Sequence, residues 1–310
     1  MDASDVAYVT LKRWARRFST VIFIFATLFP DASLNARENA DALTCGEAEK
    51  YAFAASTPIW FFMNPAGRPA PQGAGLAPDA TMTDGVILRG LVVRASEPTQ
   101  RRKALLVLYG ILVYSDLFYQ MLKSLSIFDP RYDIYIYDYR GYWRSDGSPR
   151  FRAMVDDVGE LLAILGRRYD EIRIYGTSLG SLIAARAAAD DEKVTSIFLD
   201  SVVSRLASLA KGCEKGRLDP VDMSETTCRK ITLLIGGYDS LFPAELAEPL
   251  IERMNSCGNT HVMVRTDLGH PFSEGLVDGP RASSLRGTII REWLANDSPQ
   301  KTVGSLGETR

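Results

Sequence analysis

Short runs of β-forming apolar residues alternate with stretches of helical periodicity, and this alternation constrains the fold more than any other feature of the sequence. The continuous apolar run at 104–109 is typical of a strand buried on both faces. Strands are predicted at 86–93, 104–109, 132–139, 172–175, 194–199, 231–235 and 262–265. Helices are predicted at 114–125, 150–168, 181–189, 244–255 and 283–294. This order predicts an α/β fold, with a mostly parallel central sheet covered by helices on both faces.

The charge balance and the short motifs exclude several function classes. The 310 residues include 36 basic and 38 acidic side chains and carry a net charge of −2, so no nucleic-acid partner is predicted. The sequence has no Cys-x-x-Cys spacing of the kind that binds zinc. It also has no Gly-x-Gly-x-x-Gly motif after an early strand, which would indicate a dinucleotide cofactor. The sequence therefore predicts neither a metal nor a cofactor.

The N-terminus has the pattern of an export signal. Basic residues within 12–17 precede an uncharged apolar run at 20–29, whose length as a helix is about 15 Å, half of a bilayer's hydrocarbon core. This pattern predicts a secretory signal peptide cleaved after Ala36 or Ala42, and hence a periplasmic or secreted protein. An uncleaved anchor that holds the protein at a membrane is one alternative, and a buried or interfacial helix of a cytosolic protein is another.

The chain divides into four predicted parts. Residues 1–42 form the predicted leader or anchor, and 43–81 form an N-terminal extension with a loop rich in Pro and Gly. The α/β domain is predicted at 82–296, and 297–310 are predicted to be a disordered tail.

Four cysteines follow the predicted leader, and an even number in an exported protein predicts two disulfides. Three pairings are open. Cys213 and Cys228 are close in sequence, and a bridge that closes about 15 residues would contribute about 3 kcal/mol. Cys45 would then pair with Cys257. In a cytosolic protein all four would be buried thiols.

The stretch Gly176-Thr177-Ser178-Leu179-Gly180 lies between a predicted strand and a predicted helix. Serine on such a turn is either a helix cap or a catalytic nucleophile. A nucleophile must be held on a strained backbone that exposes its hydroxyl, and the two glycines leave room for that turn. The N–H groups of the following helix would point towards the site.

A serine nucleophile needs a base, and the chain contains only two histidines. His270 follows the predicted strand at 262–265, whereas His261 precedes it. In a parallel sheet only the former lies at the same edge as Ser178, so His270 is the predicted base.

The third group must orient the imidazole. Asp239 follows the predicted strand at 231–235, and Asp200 follows the strand at 194–199. Asp239 is favoured because the order Ser, Asp, His, with one strand per residue, matches the α/β-hydrolase order; the alternative is that it caps the next helix.

Together these motifs resemble the α/β hydrolases, in particular small enzymes of the esterase, lipase and aminopeptidase branch. The resemblance covers about residues 82 to 295. It rests on the Ser178 motif, on Gly237-Tyr238-Asp239, on Leu268-Gly269-His270, and on the segment Asp138-Tyr139-Arg140-Gly141-Tyr142-Trp143-Arg144-Ser145-Asp146-Gly147. Trp143 stands where the family pattern has glycine.

The resemblance implies a metal-independent serine hydrolase acting on a small-molecule or acyl ester, with thioesters and amides as alternatives. It implies an oxyanion hole formed by the backbone N–H groups of Leu179 and Ile111. Tyr109 stands where the family usually has histidine, and one expectation is that Tyr109 and Trp143 contact substrate. These two departures also motivate the alternative of an inactive scaffold or binding protein on the same fold.

The residues that line the acyl pocket are less well defined by the sequence than the other parts of the site. Only 30 residues separate Asp200 from Ile231, where larger lipases insert a lid, so an open site with a minimal lid is expected. Side chains that would line the pocket, or else pack in the core, are Tyr114, Phe118, Trp143, Leu241 and Phe242.

Overall fold

An eight-stranded sheet with the order β1-β4-β6-β5-β7-β8-β9-β10 forms the centre of the protein. The computed structural model describes residues 46, 68–111, 113–188, 192–209, 218–259, 261–271 and 280–296. The strands from β6 to β10 in this order pair in parallel, whereas β1 and β4 join the edge in antiparallel pairing. Strands β2 and β3 form a separate antiparallel pair.

The described strands are β1 (Gly75–Leu76), β2 (Ala80–Thr81), β3 (Ile87–Leu88), β4 (Gly90–Val93), β5 (Lys103–Leu108), β6 (Tyr132–Tyr137), β7 (Glu171–Thr177), β8 (Val194–Asp200), β9 (Ile231–Gly236) and β10 (Val262–Arg265). The described α-helices are α1 (Ser115–Ser124), α2 (Phe151–Gly166), α3 (Leu179–Ala187), α4 (Glu225–Arg229), α5 (Glu248–Ser256) and α6 (Pro280–Ala295). Short 3₁₀ helices occur at Leu206–Ser208, Pro220–Asp222 and Ala244–Ala247.

The mostly parallel sheet confirms the predicted fold class. All seven residues of β7 are buried. Because alternate side chains of a strand point to opposite faces, this burial means that both faces of the sheet are covered. Helices α2 and α3 pack against each other, and α3 also contacts β5, β7 and β8. These contacts fix the helix that follows Ser178.

The predicted elements differ from the structure mainly at their ends. The expected bent strand pair at 86–93 is found as β3 and β4, which belong to different sheets. The sheet also begins earlier than residue 82, because β1 pairs with β4 through Gly75 and Val92. The predicted helix at 244–255 starts as a 3₁₀ turn before α5.

A disulfide joins Cys228 and Cys257, which corrects the expected pairing of Cys213 with Cys228. Cys228 lies in α4 and Cys257 directly after α5, and these two helices pack together. Tertiary proximity, rather than closeness in sequence, therefore decides the partner. The other two cysteines, Cys45 and Cys213, lie outside the described residues.

The predicted leader at 1–42 and the predicted tail at 297–310 also lie outside the described residues. Within the described part of the chain, none of the helices is long and apolar enough to cross a membrane.

Candidate active site

Ser178 occupies a strained turn between β7 and α3. Its φ of 54° and ψ of −121° lie in a region that residues other than glycine rarely adopt. The backbone holds this conformation from both sides, since the Ser178 N–H donates to the carbonyl of Asp200 at 3.0 Å and its own carbonyl accepts the N–H of Ser181 at 2.9 Å. The Ser181 hydroxyl donates to the same carbonyl at 2.6 Å. Such strain persists only where the surroundings enforce it.

The two glycines of the turn are required by close backbone approach. A Cβ on Gly176 would lie 2.6 Å from the carbonyl oxygen of Gly180, and a Cβ on Gly180 would lie 2.1 Å from that of Leu108. The helix that begins at Leu179 therefore packs directly on the end of β5. This contact sets the direction in which Ser178 points.

His270 lies between Ser178 and Asp239, as their positions after β7, β9 and β10 predicted. Its Nε2 is 3.0 Å from the Ser178 hydroxyl oxygen. Its Nδ1 is 3.0 and 2.9 Å from the two carboxylate oxygens of Asp239. The ring of Phe242 packs edge-on against the imidazole, with 5.3 Å between ring centroids. His261 precedes β10, at the opposite edge of the sheet.

Asp239 is held by its own turn as well as by the imidazole. Its Oδ1 accepts the backbone N–H groups of Leu241 at 3.0 Å and Phe242 at 2.8 Å. Burial acts to raise the pKa of Asp239, but the hydrogen bond and charge of His270 and the N–H of Phe242 outweigh it, so the pKa lies below its usual value. The side chain thus both caps its loop and faces the imidazole.

Asp200, the competing acid, has other partners. Its carboxylate forms an ion pair with the guanidinium of Arg286 and accepts the hydroxyl of Tyr175 at 3.0 Å. Burial raises the pKa of Asp200 against the opposing effect of Arg286. It does not take the place of Asp239 beside His270.

The loop after β5 runs directly beside Ser178. A Cβ on Gly110 would lie 3.2 Å from Cβ of Ser178 and 3.6 Å from its hydroxyl oxygen. Ile111 follows Gly110 in this loop, and Leu179 is the first residue of α3. The N–H of a first helical residue has no carbonyl one turn earlier to bond, so it is open to another acceptor.

Tyr109 does not face the site, which corrects its prediction as a substrate contact. Its side chain is fully buried and its hydroxyl donates to Asp138 at 2.8 Å. Asp138 also accepts the N–H and the hydroxyl of Ser115, at 2.7 and 2.8 Å. Burial raises the pKa of Asp138 to about 7, against the effect of these donors. The Asp138 carboxylate thus anchors both ends of the loop that passes Ser178.

Sequence reasoning gave Asp138 no role of its own. In the sequence it is the first residue of a family motif, and the signal that points to its role is the tyrosine in the histidine's place. A buried tyrosine hydroxyl needs a partner, and the aspartate after the neighbouring strand supplies it.

Trp143 is likewise packed into the protein, with only 6% of its surface exposed. Its indole N–H donates to Asp116 at 3.1 Å, and its ring stacks on Tyr114 with 4.3 Å between centroids. Its φ is 37°, which explains why glycine suits this position in the family pattern. The prediction that Trp143 lines the substrate site finds little exposed surface to support it.

The remaining predicted pocket residues differ in exposure. Phe118 is fully buried and belongs to the core, which is the second of the two alternatives expected for it. Tyr114 and Phe242 are half-buried, while Leu241 is 63% exposed beside Asp239. Over the residues that the structure describes, no three His, Cys, Asp or Glu side chains are grouped to hold a metal ion.

One family model, two curated proteins and several solved structures are similar to this chain. A family model described as alpha/beta hydrolase fold matches residues 103–229. Two Escherichia coli proteins named "Uncharacterized protein YfhR" are similar over 133 residues, that of O157:H7 at 26% identity and that of strain K12 at 25%. Each match covers 38% of this chain and 47% of the relative, so the chain spans about half the length of these curated relatives.

Solved structures extend the similarity over most of the described fold. The esterase Pf2001 of Pyrococcus furiosus superposes with a TM-score of 0.53 at 18% identity, covering 71% of this chain and 93% of that one. Esterase 2 of Thermogutta terrifontis, phosphoramylated by tabun, gives a TM-score of 0.56 at 17% identity, covering 73% and 95%. At such identities the likeness shows a shared fold.

Proposed function

We propose that this chain, which matches the α/β-hydrolase family model over residues 103–229, is a serine hydrolase that cleaves an ester bond through an acyl-enzyme on Ser178. The observation that carries the proposal is the continuous contact from Ser178 through His270 to Asp239, with 3.0 Å at the first link and 2.9 Å at the second. Both distances are those of a nucleophile, its base and the group that orients the base.

Each side chain then has one role. The Ser178 hydroxyl oxygen bonds to the carbonyl carbon of the ester while His270 Nε2 takes its proton. His270 returns that proton to the departing alkoxide as the carbon–oxygen bond breaks, which leaves the acyl group on Ser178. Water repeats the sequence and releases the acid. Asp239 keeps the Nδ1 proton of His270 in place and stabilises the imidazolium.

The negative oxygen of the tetrahedral intermediate is proposed to bind the N–H groups of Leu179 and Ile111. The closeness of Gly110 to Ser178 supports this assignment, because Ile111 is the next residue of the same loop. Each such donor is worth about 3 kcal/mol of transition-state stabilisation.

The proposed substrate is a small-molecule or acyl ester. Leu241 and Tyr238 flank Asp239 and are 63% and 72% exposed, so apolar surface borders the site. Thioesters and amides would use the same residues in the same roles.

Export is proposed alongside this activity. The Cys228–Cys257 disulfide favours an oxidising compartment, and the basic and apolar residues of the N-terminus match a signal peptide or an anchor at the membrane.

The two departures from the family pattern do not favour the alternative of an inactive scaffold. It rested on Tyr109 and Trp143, and both side chains have partners away from substrate, in Asp138 and Asp116 respectively. A departure that serves packing says nothing against catalysis.

A fluorophosphonate probe tests the proposal on the full chain. Ser178→Ala and His270→Ala proteins, each shown to be folded by circular dichroism, are run beside the parent. We expect the parent alone to be labelled, and p-nitrophenyl esters of graded acyl length then define the substrate. A folded parent that stays unlabelled and hydrolyses none of these esters would rule out the mechanism.

A further inference from the structure

Arg286 is the largest fully buried side chain of the described residues, although it carries a charge. It lies in α6, and its guanidinium pairs with the carboxylate of Asp200. A second nitrogen of the same guanidinium donates to the backbone carbonyl of Gly269 at 2.8 Å. Gly269 directly precedes His270, so this side chain ties α6 to the loop of the proposed base.

Asp200 connects the same arginine to the nucleophile. Its backbone carbonyl accepts the N–H of Ser178 at 3.0 Å, and its carboxylate accepts the hydroxyl of Tyr175 in β7. Three elements that must keep a fixed relation therefore meet at one ion pair: the turn of Ser178, the loop of His270, and α6.

We infer that the Asp200–Arg286 ion pair sets the position of His270 relative to Ser178, so that both are positioning residues of the reaction. This inference rests on the proposed function. Buried ion pairs contribute little net stability, because desolvation of the two charges offsets their attraction. A gain in folding stability therefore does not explain why the guanidinium is buried here. Its contacts to the loop of His270 and, through Asp200, to the turn of Ser178 do explain it. An error of about 1 Å in the placement of a catalytic group can cost about 100-fold in rate.

A second buried arginine supplies a matched control. Arg173 pairs with Glu171 at 3.1 Å and donates to the carbonyls of Trp293 and Leu294 at 2.9 and 3.0 Å. It therefore also ties the sheet to α6. Arg173 lies near the start of β7, whereas Ser178 follows the end of that strand, so its contacts do not include the His270 loop.

The experiment measures kcat and KM for p-nitrophenyl butyrate with the full chain, together with the melting temperature of each variant. Arg286→Lys keeps a positive charge beside Asp200, but a single ammonium cannot contact both the Asp200 carboxylate and the Gly269 carbonyl. The double variant Arg286→Met with Asp200→Leu removes both charges and leaves neither unpaired. Arg173→Met is the control.

We expect kcat to fall about 10- to 100-fold in Arg286→Lys and in the double variant, with KM within about twofold of the parent. The double variant is expected to melt a few degrees below the parent, because the buried Tyr175 hydroxyl loses its acceptor, and Arg173→Met is expected to melt lower than the parent while keeping parental kcat. Parental kcat in both Arg286 variants would overturn the inference, as would an equal loss in Arg173→Met. A parent that neither hydrolyses the ester nor reacts with the fluorophosphonate fails the proposed function itself, and this is seen before any variant is compared.

Discussion

Replacing Asp239 with asparagine separates its two roles, because only Oδ1 accepts the N–H groups of the turn, although both carboxylate oxygens lie within 3.0 Å of Nδ1 of His270. Oδ1 accepts the N–H groups of Leu241 and Phe242, and an asparagine side-chain oxygen can do the same. The amide nitrogen then takes the position of Oδ2, which lies 2.9 Å from Nδ1 of His270. A donor would face a donor, so His270 is expected to move its proton to Nε2 and to lose the lone pair that receives the Ser178 proton.

The expected effect on rate is large and the effect on stability is small. In serine proteases the wrong imidazole tautomer lowers kcat by about 10⁴, which corresponds to about 5.4 kcal/mol of activation free energy. Because both turn hydrogen bonds survive in Asp239→Asn, its unfolding free energy should change by less than about 1 kcal/mol. Asp239→Ala also removes both hydrogen bonds of the turn, and should lose about 2 kcal/mol at about 1 kcal/mol for each bond.

Steady-state hydrolysis of p-nitrophenyl butyrate and urea unfolding measure the two quantities on the same preparations. We expect Asp239→Asn to be nearly as stable as the parent and almost inactive, and Asp239→Ala to be less stable and similarly inactive. If Asp239→Asn kept more than a tenth of parental kcat, Asp239 would not be the carboxylate that orients His270.

Three further predictions follow from local geometry. Gly180→Ala places a Cβ 2.1 Å from a backbone carbonyl oxygen, so urea unfolding should show a loss of more than about 3 kcal/mol in unfolding free energy. The control is Gly159→Ala, in a helix where the nearest neighbour of the new Cβ lies at 4.0 Å; it should be neutral or stabilising by up to about 1 kcal/mol. Equal losses in the two variants would contradict the packing described. The pKa of Asp138 is raised to about 7, so between about pH 4 and pH 7 the folded state keeps a proton that the unfolded state has lost, and unfolding free energy should fall as the pH rises, by up to about 4 kcal/mol. Asp138→Asn should lack this part of the pH dependence, and an unchanged slope would refute the assignment. Non-reducing peptide mapping should recover Cys228 linked to Cys257, and a linkage of either to another cysteine would refute this pairing. Replacing both with alanine should lower the unfolding free energy by about 3 to 4 kcal/mol, as expected for a sequence separation of 29.

The parts of the fold that depend on local pattern were predicted well. The strand at 262–265 has the predicted bounds, because β-branched residues end there at a turn. The candidate triad was also predictable from chain order. With two histidines at opposite ends of one strand, the parallel sheet left one candidate, and the structure brings Ser178, His270 and Asp239 within hydrogen-bonding distance. Their catalytic roles stay predictions until the probe experiment is done.

Features that depend on distant contacts were not predictable. The sequence favours a substrate contact for Tyr109, because no residue near it in the chain shows that its hydroxyl donates to Asp138, 29 positions away. The partner of Cys228 depends on how α4 packs on α5, and closeness in sequence favoured the wrong cysteine. Arg286 lay in a helical pattern with no local sign that it would be buried.

Three aspartates lie at the carboxyl ends of strands, and their surroundings rather than their positions in the chain give them different properties. Asp138, after β6, is surrounded by hydroxyl and N–H donors, and Asp200, at the end of β8, by Arg286 and Tyr175; burial raises both pKa values. Asp239 alone of the three has a lowered pKa, because the imidazole is its main partner. A carboxylate that stabilises an imidazolium has to stay ionised when the proton moves. A carboxylate that only holds a loop in place is free of that demand, so raised pKa values are compatible with the anchoring roles of Asp138 and Asp200.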